Sequence, residues 1–404
     1  MVFRLDQVGD DSLSSDRCAT LADALGVGPI EAEGAYVHIP FCFHKCHYCD
    51  FYSIVDSEDR QAVFVERLKA ELELVGGRVS SPLQTVFIGG GTPTLLRVNL
   101  LAELLGAIRR YLPLADSCEW TIEANPETVD EQVARALVDG GVTRVSIGCQ
   151  SFQPELLQTL ERHHDPGNVQ RSVQYLRTAG IQAINLDLIM GVPGSTFEQW
   201  CDDLDAALEL DPWHLSCYGL QYEKNTPLTK KLELGRIEPI DDELEAQMYE
   251  HTCSQLEEAG LKHYELSNWA RPGEECRHNL LYWSGGNWLA FGPSASGHLD
   301  GTRWRNVPRL GSWLGQAPWT SIEDLEHLDR PTRARERLML ELRLREGIAQ
   351  SELMVVLKDA DPDGQRAAAL ARGEADGLLE KVAGRVRLTP RGLLLADSLL
   401  CELV

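Results

Sequence analysis

Three cysteines lie close together near the start of the chain, in the stretch FCFHKCHYCDF at 41–51. Cys42, Cys46 and Cys49 are separated first by three residues and then by two. Thiolates at such short spacing can bind one soft metal centre. The residue two places after Cys49 is Phe51, so a fourth thiolate is missing from this stretch. The incomplete set of ligands predicts a metal centre with one open coordination position.

Two kinds of metal centre are compatible with three neighbouring thiolates. A structural zinc ion takes four nitrogen or sulfur ligands, so it would need His38, His44 or His47 as the fourth. Structural zinc cysteines usually come as two short pairs, and the chain has no second C-x-x-C pair. A [4Fe–4S] cluster normally takes four thiolates, and with three of them one iron stays open. We therefore expect the cluster, with zinc as the alternative.

Further residues with chemical potential stand at the ends of apolar runs. The glycine run at 89–91 in FIGGGTPT would let a ligand approach bare backbone, although a plain turn is the alternative. Glu123, Gln150 and Asp187 are polar residues in or beside apolar runs. Buried polar side chains need partners, so each of the three either caps structure or faces a ligand. Together at one end of a sheet they would outline a pocket.

The elements that would position these residues alternate along the chain. Short apolar runs predict six strands, and helix-like segments lie between them, which implies parallel pairing through right-handed crossovers and an α/β fold. The predicted strands are 36–39, 85–88, 119–124, 144–148, 183–189 and 214–220. The predicted helices are 60–75, 100–111, 130–139, 168–179 and 196–210.

Six units are fewer than the eight that close a full barrel, so an open sheet and a partial barrel are both possible. The chemically unusual residues all follow strand ends, and they converge most easily if the sheet curls. We therefore predict a partial (β/α)6 barrel over 34–265, preceded by an extension at 1–33 and followed by a connecting segment at 266–330.

The last part of the chain, 331–404, has a different character. Its helix-like segments and a hairpin turning at Ala383-Gly384 predict a small winged-helix-like domain. Such domains often bind DNA, but this one has equal numbers of basic and acidic side chains, and the whole chain has a net charge of −24. Because phosphate contacts need a basic surface, we expect no nucleic-acid partner and a structural or substrate-covering role.

The sequence also gives an expectation about location. The first residues, MVFRLDQVGDD, lack the basic and then apolar pattern of a signal peptide, and no stretch is long enough to span a membrane. The eleven cysteines are an odd number, which suggests thiols and metal ligands rather than disulfides. We expect a cytoplasmic protein.

The cysteine motif, with Tyr48 just before the last cysteine, resembles the radical S-adenosylmethionine superfamily. The span 36–298 resembles one subfamily, the oxygen-independent coproporphyrinogen III dehydrogenases and the related HemW-type haem chaperones, through YVHIPFC, GGGTPT, IEANPE, SIGCQSF, LERHH and NLDLIMGVPG. The resemblance implies a partial radical-SAM barrel that holds a [4Fe–4S] cluster and S-adenosylmethionine. The residues it implies for S-adenosylmethionine are Tyr36, Tyr48, Gly90, Gly91, Thr92, Glu123, Gln150, Arg162 and Asp187.

Two departures separate the two branches of this subfamily. The dehydrogenases have a fourth cysteine where this chain has Phe51, and RHNLLYW at 277–283 matches the HNxxYW motif of the chaperone branch. By this resemblance His278 is expected to ligate haem, beside the mouth of the barrel, with the neighbouring aromatic residues as an apolar surface. A structural histidine is the alternative. The rival haem ligands are His263, His298 and Cys276.

The resemblance implies a haem chaperone that transfers haem to an acceptor protein, for which a membrane-associated respiratory component is one candidate. The alternative function is coproporphyrinogen III dehydrogenase, an enzyme of oxidative decarboxylation in haem biosynthesis. A radical enzyme with an unrelated substrate is the third reading. Whether the chain is an enzyme is left open at this point.

Overall fold

The computed structural model describes residues 20–317 and 322–404. Its strands form one twelve-stranded sheet and one three-stranded sheet. The strands of the large sheet are β1 Gly34–Ile39, β2 Leu83–Gly90, β3 Leu114–Ala124, β4 Arg144–Gln150, β5 Ala183–Met190, β6 His214–Gly219, β7 Lys262–Glu265, β8 Asn268–Ala270, β9 Trp288–Phe291, β10 Ser296–Leu299, β11 Thr302–Asn306 and β12 Ile322–His327. Those of the small sheet are β13 Ile348–Ala349, β14 Leu379–Val382 and β15 Arg385–Leu388.

Helices follow most of the barrel strands and make up much of the C-terminal part. They are α1 Leu21–Leu25, α2 Gln61–Gly76, α3 Val98–Tyr111, α4 Glu131–Gly140, α5 Pro154–Thr159, α6 Gly167–Ala179, α7 Phe197–Glu209, α8 Pro227–Glu233, α9 Asp242–Glu258, α10 Arg277–Trp283, α11 Leu310–Leu314, α12 Arg330–Glu341, α13 Gln350–Ala360, α14 Gln365–Ala375, α15 Pro390–Leu394 and α16 Ala396–Leu400.

Strands β1 to β6 pair in parallel in chain order, which confirms the predicted α/β fold and partial barrel. Both edges carry further strands. Strand β9 lies parallel to β1 and leads into the antiparallel β10, β11 and β12, while β8 and β7 extend the sheet beyond β6. The segment predicted to be a connection therefore adds strands to both edges of the sheet.

Local sequence signals explain where the helices start and stop. In α4, Asp130 accepts a hydrogen bond from the amide of Val133 at 2.8 Å, and the helix ends at Gly141, whose φ of 95° is left-handed. Val133 and Leu137 are spaced to bury one face of this helix against the sheet. The other crossover helices also bury one apolar face against the strands, so they lie on the outside of the barrel.

The strands have two buried faces. In β1, Ala35, Val37 and Ile39 belong to the main core that also contains apolar residues of the surrounding helices. Tyr36 and His38 alternate with them and therefore point into the barrel. This alternation allows every strand to supply apolar side chains outward and polar or aromatic side chains inward.

The predicted N-terminal extension lies outside the described residues as far as residue 19. From Thr20 onward the chain is attached to the barrel, because Ile30 pairs with Val79 and the Arg78 guanidinium donates to the carbonyl of Gly28 at 2.9 Å.

The C-terminal part has its own apolar core and its own small sheet, in the order β13-β15-β14. The hairpin between β14 and β15 turns at Ala383 and Gly384, as predicted, and both residues have positive φ. Two positive φ values are typical of the tight turn that suits strand twist. This part joins the barrel beside β7, where the amide of Arg345 donates to the carbonyl of Tyr264 at 3.0 Å.

No helix in the described ranges is long and apolar enough to cross a lipid bilayer.

Candidate cluster and cofactor site

The loop that carries the three cysteines directly follows β1 and is fixed at both ends. The amide of Cys42 donates to the carbonyl of Ile54 at 2.9 Å, and the amide of Ile54 donates to Pro40 at 2.7 Å. Just after the end of β2, the amide of Thr92 donates to the carbonyl of Phe41 at 2.7 Å. These backbone bonds hold the loop at the carboxyl edge of the parallel strands.

The thiols lie in a protected setting that favours a metal. Cys46 is buried, and burial raises the pKa of Cys42 and raises that of Cys49 to about 12. Such thiols become thiolates most readily when a cation supplies compensating charge. The three sulfur atoms do not all lie within 4.8 Å of one another. This spread suits a cluster better than a single zinc ion with bonds of about 2.3 Å.

Arg162 lies beside this loop. Its Nη1 is 3.7 Å from the Sγ of Cys46, and its Nη2 donates to the carbonyl of Gly148 at 2.9 Å. The β4 strand bulges between Gly148 and Gln150, and Gln150 has a φ of 66°. A Cβ on Gly148 would lie 2.7 Å from Nε2 of Gln150, so the glycine lets both polar side chains reach this spot. Arg162 thus provides positive charge next to the thiols.

The glycine run at the end of β2 provides backbone at the same edge. Gly90 has a φ of 112°, and a Cβ there would lie 2.5 Å from Cε1 of His38. A Cβ on Gly91 would lie 3.0 Å from Sγ of Cys42. Both positions therefore require glycine, because a side chain would push into the cysteine loop or the barrel interior. The Oγ1 of the buried Thr92 lies 3.7 Å from the Sγ of Cys42.

Two carboxyl groups face the barrel interior below this edge. Glu123 accepts a hydrogen bond from the amide of Gly90 at 3.0 Å, and Asp187 accepts from Ser146 at 2.7 Å and from Asn185 at 2.8 Å. Burial and the nearby Asp187 raise the pKa of Glu123 to about 7. Burial also raises the pKa of Asp187, although its hydrogen bonds act in the opposite direction. Two carboxyl groups in one dry interior create a strong preference for a cationic ligand.

Aromatic side chains complete the inner wall. The Tyr36 hydroxyl and Nδ1 of His38 are 3.0 Å apart, and Nε2 of His38 is 2.8 Å from the carbonyl of Tyr52. Burial lowers the pKa of His38 to about 4, so its ring is neutral and both nitrogens are occupied. His38 is therefore a poor fourth ligand for zinc. Tyr48 packs against a small apolar cluster that includes Leu160.

The structure thus brings the residues predicted for the cluster and for S-adenosylmethionine to one end of the barrel. The residues that meet there are Tyr36, Cys42, Cys46, Tyr48, Cys49, Gly90, Gly91, Thr92, Glu123, Gln150, Arg162 and Asp187.

His278 lies elsewhere, and the expectation that its motif flanks the mouth of the barrel is wrong. The first turn of α10 bonds to Glu119, and Arg277 donates to the carbonyl of Ser117 at 2.8 Å, which places α10 near the amino ends of β2 and β3. The His278 ring bonds to Thr85 at 2.8 Å and to Tyr282 at 2.9 Å, and the side chain is fully buried. Helix α10 follows the antiparallel strand β8 and leads into β9, which runs parallel to β1, so it lies at the end of the barrel where the parallel strands begin.

The contacts of His278 bear on its predicted role as a haem ligand. Both of its ring nitrogens are engaged, and burial lowers its pKa to about 3. The ring also stacks on Phe87 with 5.3 Å between centroids. Ligation of iron would require this imidazole to leave its partners. A cleft of about 340 Å³ beside α10 is lined by Arg277 and Leu344, among others.

The rival haem ligands lie away from the cysteine loop as well. His263 stacks on Trp269 with 4.2 Å between ring centroids, and burial lowers the pKa of His263 to about 3. Nδ1 of His298 is 2.8 Å from the carbonyl of Gly286. Cys276 is buried at the start of α10.

A buried polar network inside the barrel was not predicted from the sequence. Asn185 donates to Ser146 at 2.7 Å and to Ser216 at 3.0 Å, and its Oδ1 lies 2.6 Å from Nδ1 of His214. Nε2 of His214 is 2.8 Å from the Tyr264 hydroxyl. The available signal was the recurrence of polar residues at every second position of β5 and β6. The network connects Asp187 with the amino end of the barrel.

The sequence of the chain is similar to known protein families and to individual proteins. The Radical SAM superfamily matches residues 36–207, and the HemN C-terminal domain matches 328–395. The "Heme chaperone HemW" of Mycobacterium tuberculosis (strain H37Rv) is 37% identical over 390 residues, which cover 94% of this chain and 97% of that protein. The Bacillus subtilis (strain 168) protein of the same name is 34% identical over 91% of this chain and 97% of its own length.

A solved structure agrees with the fold. The structure entitled "Coproporphyrinogen III oxidase (HemN) from Escherichia coli is a Radical SAM enzyme" superposes with a TM-score of 0.81 over 95% of this chain and 92% of that chain, at 21% identity. At this identity the similarity establishes the fold alone.

Proposed function

We propose, from the premise that this chain belongs to the family of HemW haem chaperones, that it binds haem and transfers it to an acceptor protein. The chain would also bind a [4Fe–4S] cluster through Cys42, Cys46 and Cys49, together with S-adenosylmethionine. The family names of the full-length relatives support the haem chaperone over the dehydrogenase alternative.

The single observation that carries the proposal is the loop with three thiols and no fourth. Phe51, a residue that is 39% exposed, stands where the dehydrogenases are expected to have another cysteine. Three thiolates leave one iron open, and Arg162 lies 3.7 Å from the nearest of the sulfurs. A loop of this kind suits a cluster whose open iron receives a chelating ligand.

When bound, the cluster would supply one electron and an open iron that chelates the amino and carboxylate groups of S-adenosylmethionine. The residues of the chain would orient this ligand. Glu123 and the backbone of 89–91 would accept hydrogen bonds from its amino group, and Arg162 would offer positive charge to its carboxylate. Tyr36, Tyr48, Thr92, Gln150 and Asp187 would complete the wall around it.

For haem, the axial role of His278 stays a prediction from the family motif. Its two hydrogen bonds and complete burial favour a role in fixing α10 against the barrel. The acceptor of the haem is proposed to be a protein, and a membrane-associated respiratory component stays one candidate.

The proposal is tested with protein that has been reconstituted anaerobically with iron and sulfide. Haemin should give a stoichiometric shift of the haem absorption band, and the loaded protein should pass haem to apomyoglobin, used as a general acceptor. Incubation with S-adenosylmethionine, a reductant and coproporphyrinogen III should yield no protoporphyrinogen. Formation of protoporphyrinogen would instead establish the dehydrogenase function.

A matched variant tests the cluster ligands separately. Replacement of Cys42, Cys46 and Cys49 by Ser should remove the bound iron and leave far-UV circular dichroism unchanged, because backbone bonds support the loop. Replacement of Cys201, which lies on α7, should leave the iron content at the parent value. Equal iron in the triple variant and the parent would refute the assignment of these ligands.

A further inference from the structure

A second group of possible metal ligands lies next to the cysteine loop and consists of His44, Glu161 and His163. We propose that these three side chains bind one divalent first-row transition-metal ion, such as Zn²⁺ or Fe²⁺, at a site separate from the cluster. The inference uses none of the cluster cysteines as ligands, and it does not depend on haem transfer.

The geometry suits one ion. One donor atom from each of the three side chains lies within 4.8 Å of the other two. The rings of His44 and His163 meet edge to face, with 4.5 Å between centroids and an angle of 66°. One carboxylate oxygen of Glu161 is 3.5 Å from Nε2 of His163, and the other is 3.9 Å from Nδ1 of His47. Small side-chain rotations would bring the donors to bonding distance of a common centre.

An unpartnered nitrogen points to a missing ligand. Nε2 of His44 is buried and has no hydrogen-bond partner. Nδ1 of His47 is buried too and has no hydrogen bond, and the nearest carboxylate oxygen of Glu161 is 3.9 Å away. A buried polar atom without a partner costs about 1–3 kcal/mol. A metal ion bound at Nε2 of His44 would remove this cost. His163 is exposed, so an ion can enter from solvent.

The chemistry of the donors selects the class of ligand. Two imidazoles and one carboxylate are a common set for Zn²⁺ and for non-haem Fe²⁺, and they leave further coordination positions open. Haem iron fits less well, because it accepts protein ligands only at two axial positions on opposite faces of the macrocycle. The three donors here are close together, which favours a bare ion.

The location gives the ion a structural effect on the neighbouring cluster loop. His44 lies between Cys42 and Cys46, while Glu161 and His163 flank Arg162. The amide of His47 already donates to the carbonyl of Leu160 at 3.2 Å, so the two segments are adjacent. A bound ion would tie together the loop that holds the thiols and the segment that carries the arginine.

The test uses cluster-loaded, full-length protein under anaerobic conditions. Equilibrium dialysis against Zn²⁺ followed by metal analysis should find one zinc per chain in addition to the full complement of cluster iron. His44→Ala, His163→Ala and Glu161→Gln should each weaken zinc binding by about a hundredfold or more, since loss of an outer-shell partner alone costs about 10–100-fold. His327→Ala, which removes an exposed histidine far along the chain, should bind zinc like the parent.

Additional measurements show whether the added metal binds to the histidine site or to the cysteines. With Co²⁺ as the probe, the parent should show weak visible bands of nitrogen and oxygen ligation and no intense thiolate bands. Without added metal, cluster iron and haemin binding should be equal in the parent and in the His44 and His163 variants. Added zinc should raise the melting temperature of the parent but not of the two variants.

Three outcomes would overturn the proposal. The first is zinc binding that is equal in all variants, and the second is zinc uptake that displaces cluster iron. The third is a loss of the haemin absorption shift in the His44 or His163 variant with unchanged zinc binding, which would assign these donors to haem. Failure of haem transfer to apomyoglobin, with zinc binding intact, would count against the proposed function alone.

Discussion

At the scale of single residues, Glu123 and Asp187 share one buried interior but differ in their hydrogen bonds. Asp187 accepts bonds from Ser146 and Asn185, whereas Glu123 accepts one from the amide of Gly90. Burial is the largest cause that raises the pKa of Glu123 to about 7, and the nearby Asp187 adds to it. Glu123 is therefore the carboxyl group of this pair whose charge responds to pH near neutrality.

This difference predicts a pH dependence of ligand binding. Affinity of the cluster-loaded protein for S-adenosylmethionine should rise between pH 6 and pH 8, because Glu123 gains the charge that attracts a cation. In Glu123→Gln the curve should be flat and, at pH 8, binding should be weaker by about 1.5–3 kcal/mol. Isothermal titration calorimetry at several pH values measures both. The exposed Glu131→Gln serves as the control, and parallel curves for Glu123→Gln and the parent would contradict the prediction.

A second prediction concerns His278. Loss of its buried ring should lower the free energy of unfolding by about 2–4 kcal/mol, since His278→Ala leaves a cavity and removes partners from Thr85 and Tyr282. The haemin absorption spectrum of the variant tests the axial role separately. Urea unfolding and a haemin titration give the two measurements, with His327→Ala as an exposed control. A parent-like spectrum with lowered stability would make His278 a structural residue, and a changed spectrum at unchanged stability would support the axial role predicted from the family motif.

The residues that could be predicted are those whose motifs are local in the chain. The three cysteines and the glycine run at 89–91 can each be recognised from a few neighbouring positions in the sequence. The bonds among Ser146, Asn185 and His214 depend on the register of three strands, which no short motif encodes. The site of His278 was mispredicted because a motif beyond the sixth strand does not show to which end of the barrel its helix returns.

At the scale of elements, the end of β2 controls the shape of the site. Gly90→Ala should destabilise the protein and reduce cluster retention, because φ there is 112° and the new Cβ would meet His38 at 2.5 Å. Gly106→Ala is a matched control in the middle of α3, where nothing lies within 4 Å. It should raise stability by roughly 0.5–1 kcal/mol, since alanine favours helix. Thermal melts and iron analysis compare the stability and the bound iron of the two variants. Equal stability and equal iron content in both would contradict the prediction.

The elements were predictable to different degrees. Strands β1 to β6 and the five crossover helices were found, because long apolar or amphipathic runs decide them. Strand β9 was missed, since it has only four residues and is stabilised by pairing with the distant β1. The short strands β7, β8, β10, β11 and β12 were missed as well. The hairpin at Ala383 and Gly384 was found because its turn is a local signal.

At the scale of the whole molecule, several buried carboxyl groups have raised pKa values. Burial is the largest cause in each case, and the pKa reaches about 7 for Glu123 and about 6 for Asp203. A raised pKa in the folded state stabilises the fold below the unfolded pKa, and this stability is lost as pH rises through the folded pKa. The groups are Glu71, Glu123, Asp187, Asp203 and Glu265.

Compared with Glu123→Gln, the ligand-free protein should lose about 2–3 kcal/mol of stability from pH 5 to pH 8. The comparison is needed because the buried His38, His263 and His278, with their lowered pKa values, make both proteins more stable as pH rises from 5. The cluster itself is sensitive to acid, so urea unfolding is measured on the variant with Cys42, Cys46 and Cys49 replaced by Ser. Glu123→Gln is measured in the same background, and the difference in stability between the two proteins should change with pH in this direction. Parallel pH curves for the two proteins would contradict the prediction.

The pairing of β1 with β9 has a consequence for biosynthesis. Strand β1 ends at Ile39 and its partner β9 begins at Trp288. At about 5–20 residues per second, the ribosome needs roughly 12–50 s to produce the residues between them. During that time one edge of β1 has no partner and is open to pairing with other nascent chains. Slow translation should prolong this exposure, so the yield of folded protein depends on how the cell shields a strand that emerges early and is covered late.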